Sequence, residues 1–178
     1  MKVRPVINFW FDEIEEDKWW EKDEQFDALL REKFLELHYA AVRGELFEDR
    51  DNPFGRLQEI ILLDQFSRNM FRGTPQAFKN DTQALVLSQE AVRANAQVDM
   101  APDQKAFLYM PFMHSESLVI HDTAMKLFAE PGLEGYYDYE VKHREIIEKF
   151  GRYPHRNKAL GRDSTEAELE FINSTSDF

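Results

Sequence analysis

Apolar residues recur at spacings of three and four in one segment after another of this chain, and no stretch alternates with the period of two that a half-buried strand requires. That single regularity predicts an all-α fold. Phe26, Leu29, Leu30, Phe34, Leu37 and Ala41 make one stripe between Asp23 and Arg43, and Gly44 follows as a stop. A second helix is expected from Asn52 and Pro53 to about Phe71. Thr74 and Pro75 predict the start of a third, running to about Asn95, because proline suits a first turn whose amide lacks a partner anyway. Pro102 opens a fourth, in which Pro111 removes a backbone donor and predicts a kink or break, with continuation from about Phe112 to Ala129. Tyr136, Tyr139, His143, Ile146, Ile147 and Phe150 form the stripe of a further helix closed by Gly151. Thr165 and Glu168 supply a capping box for a short last one. With a Trp-bearing helix over Asn8 to Trp20, the expectation is seven or eight helices in a single domain over residues 1–178.

At 178 residues such a chain buries a sizeable core without staples. It contains no cysteine, which removes disulfides, thiolate metal sites and cysteine nucleophiles together. Its 34 Asp and Glu outnumber 22 Lys and Arg, for a net charge of −12, so the surface as a whole repels phosphate backbones and anionic lipid. Nucleic-acid and membrane partners are therefore not expected. Val3 to Phe11 is too interrupted for a secretory signal, and Phe107 to Met113 is too short to span a bilayer, which makes a cytoplasmic protein the expectation.

Three segments break the binary pattern. Placed at about 100° per residue, Leu57, Ile60, Ile61, Leu63, Phe66, Met70 and Phe71 cover most of one helix, Gln65, Asn69 and Arg72 share a narrow polar arc, and Asp64 falls inside the apolar arc. A carboxylate there requires a partner, and Arg68 stands one turn on. The pair reads either as a structural bridge between helices or as a pocket wall. In the second segment the apolar run Phe107 to Met113 ends abruptly in His114-Ser-Glu-Ser117. His114 is either a satisfied core histidine or an acid–base group, since imidazole titrates nearest neutrality. The third segment, Phe150-Gly-Arg-Tyr-Pro-His-Arg-Asn-Lys-Ala-Leu-Gly-Arg162, holds Arg152, His155, Arg156, Lys158 and Arg162 with no acid, reversing the charge of the whole chain. Guanidinium forks suit carboxylate or phosphate. The same arginines could equally pair with this protein's own carboxylates.

Other motifs do not carry chemistry. Glu140-x-x-His143 has the spacing of di-iron bundles but lacks the second copy that such a site needs. His121-Asp122 is similar to the paired ligands of all-α phosphohydrolases, yet a dipeptide alone arises readily by chance. There is no HExxH, no glycine-rich phosphate loop and no GxSxG, so neither a metal nor a cofactor is expected.

Leu62-Leu-Asp-Gln-Phe-Ser-Arg-Asn69, Phe107-Leu-Tyr-Met-Pro-Phe-Met-His-Ser-Glu116 and Phe150-Gly-Arg-Tyr-Pro-His-Arg-Asn157 with Leu160-Gly-Arg162 resemble, in this order, the signatures of the bacterial domain-of-unknown-function family 924. Asn8-Phe-Trp-Phe11 and Ser164-Thr165 extend the resemblance over nearly the whole chain. It implies an all-α fold similar to tetratricopeptide-repeat superhelices, and it implies no activity, because the family has none established. Ser67 stands where the family often has proline, and Ser117 where it often has an acid. His121-Asp122 is outside the family pattern.

The leading expectation is one polar pocket between helices that binds a small anionic ligand, a carboxylate or phosphate ester. Asp64, Arg68, Asn69, Arg152, Arg156, Asn157 and Arg162 are the candidate binding residues. If a reaction occurs there, His114 or His155 acts as general acid or base and Glu116 orients it. The alternative is a module that docks a protein or peptide on exposed Trp10, Phe11, Trp19, Trp20 and Phe54.

Overall fold

A computed structural model describes residues 4–175. The first residues of the segment considered as a signal, and both ends of the domain expected over 1–178, lie outside the described residues. Among those described there are helices and no strand: α1 (Pro5–Asn8, running on as a π-helix over Phe9–Glu13), α2 (Glu24–Val42), α3 (Pro53–Ile61), α4 (Ser67–Met70), α5 (Asp81–Arg93), α6 (Pro102–Met113), α7 (Leu118–Phe128), α8 (Glu134–Phe150), α9 (Asn157–Leu160) and α10 (Glu166–Ser174). A π-helical stretch, Leu62–Phe66, joins α3 to α4 without a break, so nine helices result. The addition to the expected seven or eight is α9, one turn inside the basic segment. No helix among the described residues is long and apolar enough to cross a membrane.

Local chemistry sets most boundaries. The Asp23 carboxylate caps α2 by accepting from the Gln25 and Phe26 amides, and Asn52 caps α3 through the Phe54 amide ahead of Pro53. Gly151 ends α8 in the left-handed conformation at φ 69°. The Thr165–Glu168 box opens α10. Three boundaries differ from expectation. The helix expected over Asn8 to Trp20 runs instead from Pro5 to Glu13, where Ile14 is extended, and Glu16–Trp19 is a separate 3-10 turn. Thr74 and Pro75 begin only a 3-10 turn, because the Thr74 hydroxyl donates back to the Phe71 carbonyl, and α5 starts later, at Asp81. Pro111 does not break α6. The helix continues to Met113, and the Ser88 hydroxyl donates to the Leu108 carbonyl in the turn that the proline weakens. The interruption falls at His114–Ser117 instead, and α7 is a separate helix.

Helices near in sequence pack together: α5 on α6, α6 on α7 and α7 on α8, with α3 against both α5 and α6. One core runs from Val6 to Leu133 and centres on Trp10, whose ring meets Trp19, Phe26, Phe66 and Phe107. A smaller core of Ile146, Ile147 and Tyr153, with Phe150 and Phe171, holds α10 against α8.

Gly55 shows how closely the chain is packed near the start of α3. A Cβ built there would collide with the backbone carbonyl of Asp49. Glycine to alanine inside a helix ordinarily gains about 1 kcal/mol. Here the sign should reverse: Gly55→Ala is expected to lose about 1–3 kcal/mol in urea denaturation, as overpacking does.

Candidate functional site

The site begins with a misfit. Asp64 is fully buried in the middle of the π-helical stretch, where the extra residue per turn puts Leu62, Leu63, Asp64, Gln65 and Phe66 all inside. Its carboxylate is satisfied from three directions. His114 Nδ1 donates to Oδ1 at 2.7 Å, Gln65 Nε2 to Oδ2 at 2.5 Å, and Arg68 Nη1 lies 3.1 Å from Oδ1. Burial alone would push this carboxyl up, but the Arg68 and His114 partners outweigh it and hold the group well below the usual carboxylate range.

Arg68 reaches further. Its guanidinium donates to both oxygens of Asp81 at 2.9 Å. Arg156 shares that carboxylate at 3.1 Å and donates its other terminal nitrogen to the His114 carbonyl at 2.9 Å. The Phe78 and Tyr153 rings lie 4.7 and 4.6 Å from the Arg156 guanidinium carbon, so its faces are covered by aromatic rings and its edge carries the hydrogen bonds. Burial and the nearby Arg68 charge both lower its pKa. Two guanidiniums and two carboxylates thus form one chain, Asp64–Arg68–Asp81–Arg156, closed through His114.

Three histidines face this chain. Because Asp64 takes the Nδ1 hydrogen of His114, and because burial and Arg68 lower its pKa, the ring is neutral and Nε2 holds the lone pair. His143 donates Nδ1 to the Tyr139 carbonyl at 2.7 Å, and burial lowers its pKa to about 3. Burial, and then the Arg156 charge, take His155 to about 3 as well. After burial, the neighbours that depress His155 are Arg156, His143, Arg68 and His114, all cations or potential cations.

These groups border two cavities, of about 560 and 620 Å³. The first is walled by Trp19, Trp20, Tyr136, Tyr139, Met110 and Met113, and reaches Arg68, Arg156 and all three histidines. The second is flanked by Gln76, Lys79, Asp81, Thr82, Ser115 and Glu116. Phe78, His114 and Arg156 line both and form the partition.

Asp64, Arg68, His114, His155 and Arg156 therefore meet at one place. The remaining candidates do not join them. Asn69 turns to the other side of its helix, donating to Asp27 beside Arg72. Arg152 forks onto Glu168, and Arg162 onto Glu116. Asn157 bridges Arg162, Ser164 and Glu168. The basic segment is not a free loop but a 3-10 turn followed by α9, with its outer arginines paired to the protein's own carboxylates. Nor does Glu116 orient His114. It accepts from Arg162 and from the Tyr153 amide, and Asp64 makes the contact with the imidazole.

Of the five aromatics considered as docking anchors, Trp10 is fully buried, Phe11, Trp19 and Phe54 pack against the core, and Trp20 is exposed. Ser67 is buried and bonds His38 and Asn80, partners that only a polar side chain could have there. His121 is used elsewhere: Nδ1 meets the buried Glu140 at 2.6 Å and Nε2 meets the Ser115 carbonyl at 2.8 Å. Among the described residues no group of three or more His, Asp or Glu is gathered for a metal. Sequence reading missed Asp81, which looks like an ordinary acid at a helix start, His143, which reads as a member of an apolar stripe, and Tyr153, which sits unremarked in the basic segment.

An all-α protein with a buried Asp–His–Arg cluster under an aromatic wall is what the fold and site define. The chain belongs to the bacterial family of unknown function DUF924, whose model matches residues 6–176. It is similar to the solved structure of a protein of unknown function from Agrobacterium tumefaciens, with 35% identity, a TM-score of 0.90 and 96% of each chain covered. No curated protein matches it.

Two measurements test the electrostatics. Asp64→Asn should cost about 3–5 kcal/mol in chemical denaturation, because it leaves the Arg68 charge and the His114 donor without their buried partner. Stability should also fall with acid earlier than carboxylate titration alone allows. His143 and His155, at about 3, and His38, lowered by burial to about 4, stay neutral in the folded state while the unfolded chain takes up protons near pH 6.5. Their contribution is complete above pH 6.5 and is lost progressively down to the folded values. Asp64 adds a further loss below about pH 4, whereas Glu140, pushed up by burial, acts in the opposite sense. Denaturation midpoints should drop between pH 7 and pH 5.

Proposed function

We propose that the cavity over Arg68 and Arg156 binds a small organic anion, with Asp64–His114 available as an acid–base pair beside it. The observation that carries this reading is the position of two guanidiniums and three neutral histidines around one cavity of about 560 Å³, a size typical of small-molecule sites. Arg156 uses two of its five N–H donors on protein partners, so in-plane donors remain. An ordinary structural ion pair would not border so large a space.

In this reading the helical array, similar to tetratricopeptide-repeat superhelices, serves as a frame for an internal pocket. Arg68 and Arg156 hold the anion. His114 Nε2 accepts or returns a proton at the ligand, and Asp64 keeps the ring in that tautomer and stabilises its protonated form. Glu116, Arg162, Arg152 and Asn157 fix the backbone that carries Tyr153 and Arg156, so they support the site rather than touch the ligand. Of the five anchors of the competing reading, an exposed docking stripe, Trp10 is buried, Phe11, Trp19 and Phe54 pack against the core, and Trp20 is exposed, so the aromatic surface is not a continuous stripe.

Propionate and inorganic phosphate, titrated at constant ionic strength with chloride as the balancing anion, should raise the melting temperature along a saturable curve for at least one of the two. Arg156→Gln should remove the saturable component. A linear response to both anions, or a saturable one unchanged in Arg156→Gln, would exclude anion binding at this cavity.

A further inference from the structure

The aromatic wall of the same cavity has a property that anion binding alone does not explain. Three of its polar atoms are already committed to protein. Trp19 Nε1 donates to the Trp10 carbonyl, the Tyr136 hydroxyl to Asp103, and the Tyr153 hydroxyl to the Met113 carbonyl. What these side chains offer a ligand is ring surface. Trp20 is the most exposed of them at 57%, although one face of its indole stacks on Phe107 at 5.9 Å with the planes 11° apart. A flat ring backed on one side by a parallel ring and accessible on the other is a stacking platform. Met110 and Met113, adaptable in shape, complete the wall.

The charges are arranged in depth. Arg156 is buried, while Trp20 and Tyr139, at 57% and 53% exposed, stand at the opening. A ligand thus meets rings at the mouth and guanidiniums inside. Because Phe78 and Tyr153 cover the faces of Arg156, it can bind only edge-on, which suits a planar carboxylate. Charge number points the same way. Arg68 and Arg156 are already balanced by Asp64 and Asp81, and the histidines are neutral, so a monoanion fits this cluster better than a phosphate dianion.

Resting on the anion-binding reading, we infer that the ligand is an aromatic carboxylate, a planar ring joined by a short linker to a single carboxylate. The ring stacks on the open face of Trp20 at the mouth. The carboxylate points inward to the in-plane donors of Arg68 and Arg156, next to His114 Nε2.

The test is a calorimetric affinity series on the full chain with propionate, hexanoate, 3-phenylpropionate and phenyl phosphate, followed in parallel by tryptophan fluorescence. The expected result is that 3-phenylpropionate binds about tenfold or more tightly than propionate, hexanoate and phenyl phosphate, and that it perturbs the fluorescence. Trp20→Ala, at a side chain that is more exposed than buried, should reduce 3-phenylpropionate to the affinity of hexanoate while propionate, which has no ring to stack, still binds. Equal binding of hexanoate and 3-phenylpropionate would overturn the aromatic class and leave an anion site in place. Tighter binding of phenyl phosphate would overturn the carboxylate. A preference that survives Trp20→Ala would overturn the platform, and binding of none of the four would end both this inference and the reading beneath it.

Discussion

A carboxylate with no access to water must find donors inside the protein, and Asp64 is that carboxylate. Much of the second half of the molecule can be understood as an answer to it. Gln65 and Arg68 come from the same helix, but they are not enough, and His114 arrives from the end of α6 to complete the shell. Arg68, drawn to Asp64, has donors left over that bring in Asp81 from the start of α5. Asp81 in turn accepts from Arg156. One buried charge thereby ties four separate parts of the chain into a connected network. The same network that fixes the packing presents two arginines and an oriented imidazole to a cavity.

The last third of the chain is built to keep Arg156 in place. Its guanidinium is clamped between Phe78 and Tyr153, and Tyr153 is itself held at its hydroxyl by the Met113 carbonyl and at its amide by Glu116. Arg162 forks onto Glu116 and also bonds the Tyr153 carbonyl, while Arg152 and Asn157 anchor the same segment to Glu168 on α10. Charged hydrogen bonds with several partners confine a short segment far better than a single exposed pair would. Beneath the His114–Ser117 turn, His121 binds the Ser115 carbonyl and Glu140, so the turn that presents His114 rests on a second buried polar pair. The supporting residues are as charged as the site, which explains why charge alone could not separate them.

The helices were largely legible because their signals are local. Periodic stripes, Asn52-Pro53, Gly151 and the Thr165–Glu168 box each act within a few residues. Asp64 was legible as an anomaly for the same reason, since a carboxylate in an apolar arc contradicts its own neighbourhood. What could not be read was the pairing of distant charges. Nothing within the basic segment distinguishes Arg156 from Arg152 or Arg162. Their difference lies in what faces them, Asp81 in one case and Glu168 or Glu116 in the others. The proline was misleading for a related reason. Pro111 removes one donor, but Ser88 on the adjacent α5 supports the weakened turn from outside the helix, and the chain bends only after Met113.

Charge balance decides how such a site can respond to an anion. With Asp64 and Asp81 offsetting Arg68 and Arg156, a bound carboxylate adds a negative charge to a cluster that has no net positive charge to spare. Two responses are physically open: displacement of Asp81 from the arginines, or uptake of a proton by a neighbouring histidine. Asp81 accepts from both arginines, with three hydrogen bonds that would have to be replaced together. The histidines face no such barrier. Their pKa values are low because burial and cationic neighbours disfavour the charged form, and an anion beside them reverses the second of these causes. His114 is the best placed, because Asp64 already stabilises its imidazolium at Nδ1 while Nε2 remains to take the proton. The group that would act as base in a reaction is therefore also the group whose protonation would accommodate the ligand's charge.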